Sequence, residues 1–181
     1  MTPISFVAQV GGAIAGTTLL AAGLTHLTRP RRLMAALSAQ RVVPQALVPA
    51  CAVVLILFEL SLGGTVVSVL LTGDTSAAYR LAVGATAGLY GLFAAYSLIV
   101  LRFRPGAPCG CGSDLTPITG WVVARAGLYA VLSLGALRLD GGPLSIPNVS
   151  EASLLIMASA SLAILLWIFP SAVSRSGRAM P

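Results

Sequence analysis

The apolar run ALVPACAVVLILFELSLGGTVVSVLL, residues 46–71, contains one charged residue, Glu59. A helix needs roughly 20 apolar residues to cross the hydrocarbon core of a membrane, and this run exceeds that length. The run lacks the alternation of polar and apolar residues that marks a membrane β-strand. We therefore predict a transmembrane helix that carries a single acid near its middle.

The rest of the chain is also strongly apolar and contains further long apolar runs. Of its 181 residues, 57% are hydrophobic and 9% are charged, and the mean hydropathy of +0.94 is too high for a water-soluble domain. Further apolar runs cover residues 5–27, 79–101, 118–137 and 151–170. The sequence predicts an all-α integral membrane protein, a bundle of about five transmembrane helices that forms one domain over residues 1–181.

The connection between the first two runs, from Thr28 to Gln45, mixes basic and apolar residues. Its arginines are Arg29, Arg31, Arg32 and Arg41, and its apolar residues include Leu33, Met34, Ala36 and Leu37. This spacing predicts a short amphipathic helix that lies on the membrane surface.

All 11 basic residues are arginines, and they lie mainly in short connections. They do not form a patch interleaved with aromatic residues, which argues against nucleic acid as a partner. If the N-terminus is outside, eight arginines fall on inner segments and two, Arg80 and Arg138, on outer ones. Because arginine accumulates on the cytoplasmic side, the count predicts a bacterial plasma (inner) membrane protein with its N-terminus out and its C-terminus in.

Small residues recur at a spacing of four, as Gly12 and Gly16 in the first run and Gly84 and Gly88 in the third. Such residues let helix backbones approach closely. We expect them to pack helices within one chain, and a seam between the chains of a homo-oligomer is the alternative.

The connection between the third and fourth runs contains the turn-rich stretch PGAPCGCG, residues 105–112. It presents the thiols of Cys109 and Cys111 one residue apart. Thiols held this closely form a strained, labile disulfide or bind a soft metal. We therefore interpret Cys109 and Cys111 as a redox or metal-binding pair, against the alternative of two incidental small residues in a tight loop.

Cys51 and His26 are expected at the same membrane face as this loop, because successive spans alternate in direction. Cys51 would then serve as a resolving or relay thiol. A zinc site of Cys51, Cys109, Cys111 and His26 is the less favoured alternative. Taken singly, Cys51 is more often a small buried apolar residue and His26 more often an interfacial polar group. We also place His26 with Glu59 and Arg125 among the candidate buried polar residues of a pocket.

Glu59 and Arg125 fall where the hydrocarbon core should be. A charge at that depth costs a few kcal/mol or more, so each should face the bundle interior and find a partner. We predict that the two residues pair with each other. Their pairing would fix the helix register, or it would line a pocket for a polar head group such as a quinone ring.

Several short motifs of the chain are similar to those of the DoxX/MauE-like membrane proteins, over about residues 8–138. The first half carries Gly23-Leu24-Thr25-His26, Arg29-Pro30, Val43-Pro44, and Phe58-Glu59-Leu60 followed by Gly63. The second half carries Cys109-Gly110-Cys111-Gly112 and then Arg125 inside the next run, which resembles MauE in particular. Two positions depart from that pattern, since Gly112 stands where a Phe is expected and Ala126 where an Asn often follows the Arg.

The resemblance implies a four-helix DoxX-like core plus one further helix. It also implies a role in thiol redox chemistry or in maturation of disulfide-containing partners, as in methylamine dehydrogenase assembly. Cys109 and Cys111 would be the redox pair, with Glu59 and Arg125 as buried polar residues. More distant relatives are linked to quinone-dependent oxidation, so quinone is a candidate cofactor.

Two functions are therefore expected. The first is a thiol–disulfide or thiol:quinone oxidoreductase that works with a thioredoxin-like partner. The second is a non-catalytic accessory or assembly subunit of a larger membrane complex. The arginine count puts the cysteine loop on the cytoplasmic side, whereas maturation of exported partners calls for the outside.

Overall fold

The computed structural model describes residues 3–72, 77–110 and 117–138, together with positions 157 and 161. The helices in these ranges are α1 (Pro3–Thr28), α2 (Pro30–Gln40), α3 (Val48–Thr72), α4 (Ala77–Phe103) and α5 (Gly120–Arg138), with a 3₁₀ turn at Gln45–Leu47. Four segments are long and apolar enough to cross a membrane, namely Val10–Thr28, Gln45–Thr72, Ala77–Phe103 and Gly120–Arg138. The prediction of an all-helical, multi-pass membrane protein is thus confirmed. The predicted span at 151–170 lies outside the described residues, apart from positions 157 and 161.

A helix does form in the first connection. Pro30 begins α2, where its missing N–H costs nothing. Arg41 ends the helix in a left-handed conformation, with φ of 53°. Leu33 packs against Ala52 and Ile56 of α3, while the arginines of α2 are exposed. The position of α2 on a membrane surface stays a prediction.

The four long helices form a ring in which α1 packs against α3 and α5, and α4 packs against α5 and α3. At one end of the ring, α1 and α4 end while α3 and α5 begin. We call this the cysteine end, because Cys51 and the loop with Cys109 both lie there.

The exterior of the bundle is strongly apolar. Large side chains such as Leu81, Val131 and Leu57 are exposed by 73%, 65% and 60%. In water this surface would be unfavourable, whereas in a bilayer it lies against lipid chains.

Glycines set the closest helix contacts. A β-carbon added at Gly63 would lie 2.5 Å from the backbone nitrogen of Leu20, and one added at Gly12 would lie 3.0 Å from the β-carbon of Ala136. The first run's glycines therefore pack helices within the chain, as predicted. A β-carbon at Gly88 of α4 would meet no described atom within 4 Å, so a packing role for Gly88 stays a prediction.

Candidate functional site

A cavity of about 580 Å³ lies in the cysteine end of the bundle. The candidate residues that line it are His26, Cys51, Glu59, Cys109 and Arg125. They come from three transmembrane helices and from the loop between α4 and α5. Cys111 lies outside the described residues. One cavity thus gathers the candidate residues that the structure describes.

A buried hydrogen bond joins two of these residues. Nδ1 of His26 lies 2.7 Å from Oε2 of Glu59. His26 is 6% exposed and Glu59 is 1% exposed, so the bond is shielded from solvent and lipid. An ionised carboxylate only accepts hydrogen bonds, and Nδ1 of His26 is then the donor. The bond fixes the orientation of the imidazole ring.

Glycines bring the two side chains together. A β-carbon at Gly23 of α1 would lie 2.9 Å from the β-carbon of Glu59, and Gly63 admits the backbone of Leu20. Because these positions lack side chains, α1 and α3 approach closely enough for His26 to reach Glu59. Both residues were candidates from the sequence, but their contact was not predicted. Glu59 was expected to pair with Arg125, and His26 to be a ligand, an interfacial group or a pocket residue.

Arg125 lies on α5 and lines the same cavity as Glu59. It is half-buried. The hydrogen bond that the structure gives to Glu59 comes from His26. Pairing of Glu59 with Arg125 stays a prediction.

The loop that carries Cys109 is closed at its base. Pro108 and Pro117 form an isolated antiparallel bridge, and the backbone N–H of Ile118 donates to the carbonyl of Ala107 at 2.9 Å. Gly110 adopts a φ of +71°, and a β-carbon there would lie 2.7 Å from that of Ala36 in α2. The loop therefore sits directly on α2, at the mouth of the cavity.

Gln40 holds this loop in place. Its Nε2 donates to the carbonyl of Pro108 at 2.7 Å, and its Oε1 accepts a hydrogen bond from the Tyr96 hydroxyl at 2.6 Å. Gln40 is 2% exposed. Gln40 was not among the candidate residues predicted from the sequence. The available signal was a polar residue on the same helical face as Leu33 and Ala36, which is the buried face of α2.

Cys51 is a half-buried free thiol, and Cys109 is also half-buried. In the described part of the chain, no three His, Cys, Asp or Glu side chains lie close enough together to hold a metal ion. Cys51, Cys109 and His26 thus share a cavity there without forming a ligand set. The geometry of the Cys109–Cys111 pair itself falls outside the described residues.

The cavity has aromatic walls. The ring of Tyr90 lies 5.0 Å from that of Tyr129 and 6.1 Å from that of Phe93, centroid to centroid. Phe58 of α3 and Leu92 of α4 also line the cavity and are 52% and 64% exposed.

The chain matches the model of one known protein family. The model of the family described as methylamine utilisation protein MauE matches residues 4–139. No curated protein and no solved structure matches the chain. The match confirms the resemblance to MauE, while the wider relationship to DoxX-like proteins stays a prediction.

Proposed function

Because the chain belongs to the MauE family of methylamine utilisation proteins, we propose that it is a multi-pass membrane protein that exchanges disulfides with a maturing partner protein. Cys109 is the thiol that meets the partner, and Cys111 is its pair. The bundle sits in the bacterial plasma membrane.

The observation that carries this proposal is the placement of Cys109. Its loop is fixed to α2 and α4 through Gln40, so the thiol is held at the mouth of the cavity. Cys51 lines the same cavity from α3. A thiol on a fixed loop, close to the protein surface and beside a second thiol, suits exchange through a mixed disulfide.

The exchange balances in electrons and protons. A partner thiolate attacks the sulfur of Cys109 in the Cys109–Cys111 disulfide, and the thiolate of Cys111 leaves. A second partner thiolate then attacks the partner's sulfur in the mixed disulfide and releases Cys109. The partner gains a disulfide, and this chain gains two electrons and two protons as a pair of thiols.

The dithiol must then be oxidised again. A thioredoxin-like disulfide does this by the same exchange in reverse, and a membrane quinone does it by accepting the two electrons and two protons. Cys51 would relay electrons if the pair were too far from that acceptor. With the site on the cytoplasmic side, as the arginine count predicts, the partner's thiols are cytoplasmic. With the site outside, they belong to exported proteins.

Replacement of single cysteines tests the proposal in cells that depend on this gene for growth on methylamine. We expect Cys109→Ser and Cys111→Ser each to abolish that growth, with wild-type amounts of protein in the membrane. Cys51→Ser is the matched variant, and its loss of growth would assign the relay role. If all three variants grow as the wild type does, the thiol proposal is wrong and an accessory subunit of a larger complex takes its place.

A further inference from the structure

Charge is distributed unevenly between the two ends of the bundle. The cysteine end carries six exposed arginines, which we call the arginine face, namely Arg29, Arg31, Arg32, Arg41, Arg102 and Arg104. At the opposite end, the exposed arginines of the described ranges are Arg80 and Arg138. In those ranges the one acid is Glu59, which is buried. The connection between α4 and α5 adds a single acid, Asp114. The cysteine end is therefore strongly positive.

Two of these arginines frame the loop that carries the candidate thiol. Arg41 directly follows Gln40, whose amide donates to the carbonyl of Pro108 at 2.7 Å. Arg104 begins the loop, and its carbonyl accepts a hydrogen bond from the N–H of Ala107 at 3.1 Å. Both arginines are exposed. The loop is thus anchored between two positive charges.

The backbone of Arg41 is unusual. It ends α2 with φ of 53° and ψ of 26°, in the left-handed region. Glycine or asparagine usually fills that position, because a β-carbon makes the conformation unfavourable. In the described ranges Arg41 is the one residue other than glycine with a positive φ. Residues kept in such conformations are concentrated at functional sites. Helix termination alone does not explain an arginine here.

A positive face around a thiol selects the molecules that reach it. Opposite charge raises the rate at which a partner meets the site, and like charge lowers it. Anionic lipid headgroups are also attracted to arginines. Lipid requires only arginines at headgroup level anywhere around the bundle, whereas Arg41 and Arg104 lie where the loop is anchored. Their position favours a protein that approaches the thiol.

We propose that the arginine face docks an acidic surface of the partner protein, with carboxylates flanking the partner cysteine that exchanges with Cys109. This inference rests on the proposed function, because it describes the partner of that exchange. The arginines make and break no covalent bond. They are positioning residues that raise the rate at which an acidic partner meets the thiol.

The test measures exchange at Cys109 with peptides of different charge. The full chain carries Cys51→Ser and Cys111→Ser, so Cys109 is its one cysteine, and it is studied in the reduced form in phosphatidylcholine nanodiscs. Peptides with glutamate, glutamine or lysine on both sides of one cysteine are activated as 2-pyridyl disulfides. The Cys109 thiolate attacks the peptide sulfur, and 2-thiopyridone leaves, so its absorbance gives the rate. Each rate is divided by that of 2-mercaptoethanol with the same peptide.

We expect the glutamate peptide to react about tenfold faster than the lysine peptide at low salt. The preference should fade as salt is added, because charges are screened over about 10 Å at 0.1 M ionic strength. Equal relative rates would overturn this proposal and leave the thiol chemistry standing. If Cys109 reacts with none of the peptides, the proposed function is contradicted, and this inference with it.

Three double variants assign the preference to the arginine face. Arg41→Gln/Arg104→Gln should lower it to about threefold, because two charges beside the loop are gone. Arg41→Lys/Arg104→Lys keeps the charge and should keep the preference. Arg80→Gln/Arg138→Gln removes the same net charge at the far end of the bundle, roughly 30 Å away, and should leave the preference unchanged. An unchanged preference in the first variant would contradict the proposal.

Nanodiscs that contain phosphatidylglycerol separate a protein partner from lipid. Headgroups bound to the arginine face would neutralise it, and the chain with its native arginines would then behave like Arg41→Gln/Arg104→Gln. We expect the two to differ in these nanodiscs as they do in phosphatidylcholine. Loss of the difference would assign the face to anionic lipid and overturn the proposal.

Discussion

Helix α3 packs closely against α1 on one side, whereas on the side of α4 it borders the cavity. Toward α1, Gly63 receives the backbone of Leu20, and Glu59 bonds to His26. We call this contact the closed seam. Toward α4, at the cysteine end, α3 borders the cavity with Phe58, and a β-carbon at Gly88 would meet no described atom within 4 Å. We call that contact the open seam.

The difference shows that close packing is confined to one side of α3. Gly63 and Gly64 are neighbours in sequence, yet a β-carbon at Gly64 would meet no described atom within 4 Å. The closed seam fixes the His26–Glu59 pair, and the open seam borders the cavity. Substitutions in one seam should therefore have effects that the other seam does not show.

Removal of His26 alone should have the largest effect. His26→Leu leaves the carboxylate of Glu59 buried without its hydrogen-bond donor, so we expect the free energy of unfolding to fall by about 3 kcal/mol. His26→Leu/Glu59→Leu should lose less, because both polar groups are gone. Unfolding by SDS in mixed micelles measures these values. Simple addition of the two single-variant losses would argue against a pair.

Addition of a methyl group to the closed seam comes next. Gly63→Ala places a carbon against the backbone of Leu20, which cannot move as a side chain can. We expect a loss of about 2 kcal/mol in the same unfolding assay. Gly64→Ala is the matched control and should change the value by less than about 0.5 kcal/mol. Equal losses would mean that α1 and α3 are not in close contact.

Gln40→Ala should weaken the docking of the loop that carries Cys109. This change removes the hydrogen bonds to Pro108 and Tyr96. A loss of about 1–2 kcal/mol in loop docking raises the undocked population roughly 5- to 30-fold. In the reduced protein, the rate of Cys109 alkylation by a maleimide should rise accordingly.

Gln45→Ala is the control for Gln40→Ala, because the amide of Gln45 also bonds a backbone carbonyl, that of Ser38, but is exposed. Its alkylation rate should match that of the wild type. Identical rates in both variants would show that Gln40 does not hold the loop.

The smallest effect on stability is expected inside the open seam. Gly88 lines the cavity, whereas Gly91 does not, and a β-carbon at either meets no described atom within 4 Å. Both Gly88→Ala and Gly91→Ala should therefore leave the free energy of unfolding within about 1 kcal/mol of the wild-type value. The same unfolding assay measures both variants. A larger loss at Gly88 would show that another part of the chain packs against it.

The hydropathy of the segments and the alternating direction of successive spans predicted which segments cross the membrane and which residues lie at the same end of the bundle. Apolar runs of sufficient length gave the four described spans, and their alternation put His26, Cys51 and Cys109 at one end. These features depend on the length and hydropathy of each segment, and both can be read from the sequence of that segment alone.

The contacts between helices were not predictable in the same way. His26 and Glu59 lie 33 residues apart, and their bond depends on the rotation of α1 against α3, which Gly23 and Gly63 set together. From sequence, Arg125 was the obvious partner for Glu59 because both are charged. Gln40 was overlooked because its partners, the carbonyl of Pro108 and the hydroxyl of Tyr96, are brought near only by the fold.

Labelling of the thiols tests most directly whether Cys109 and Cys111 form a reversible disulfide at one membrane face, as proposed. Intact cells are treated with membrane-impermeant or permeant maleimide, before and after reduction, and labelling of Cys51, Cys109 and Cys111 is measured by mass spectrometry. We expect Cys109 and Cys111 to react only after reduction, and the impermeant reagent then assigns their side of the membrane. Free reaction of both thiols under every condition would show that they do not form this disulfide.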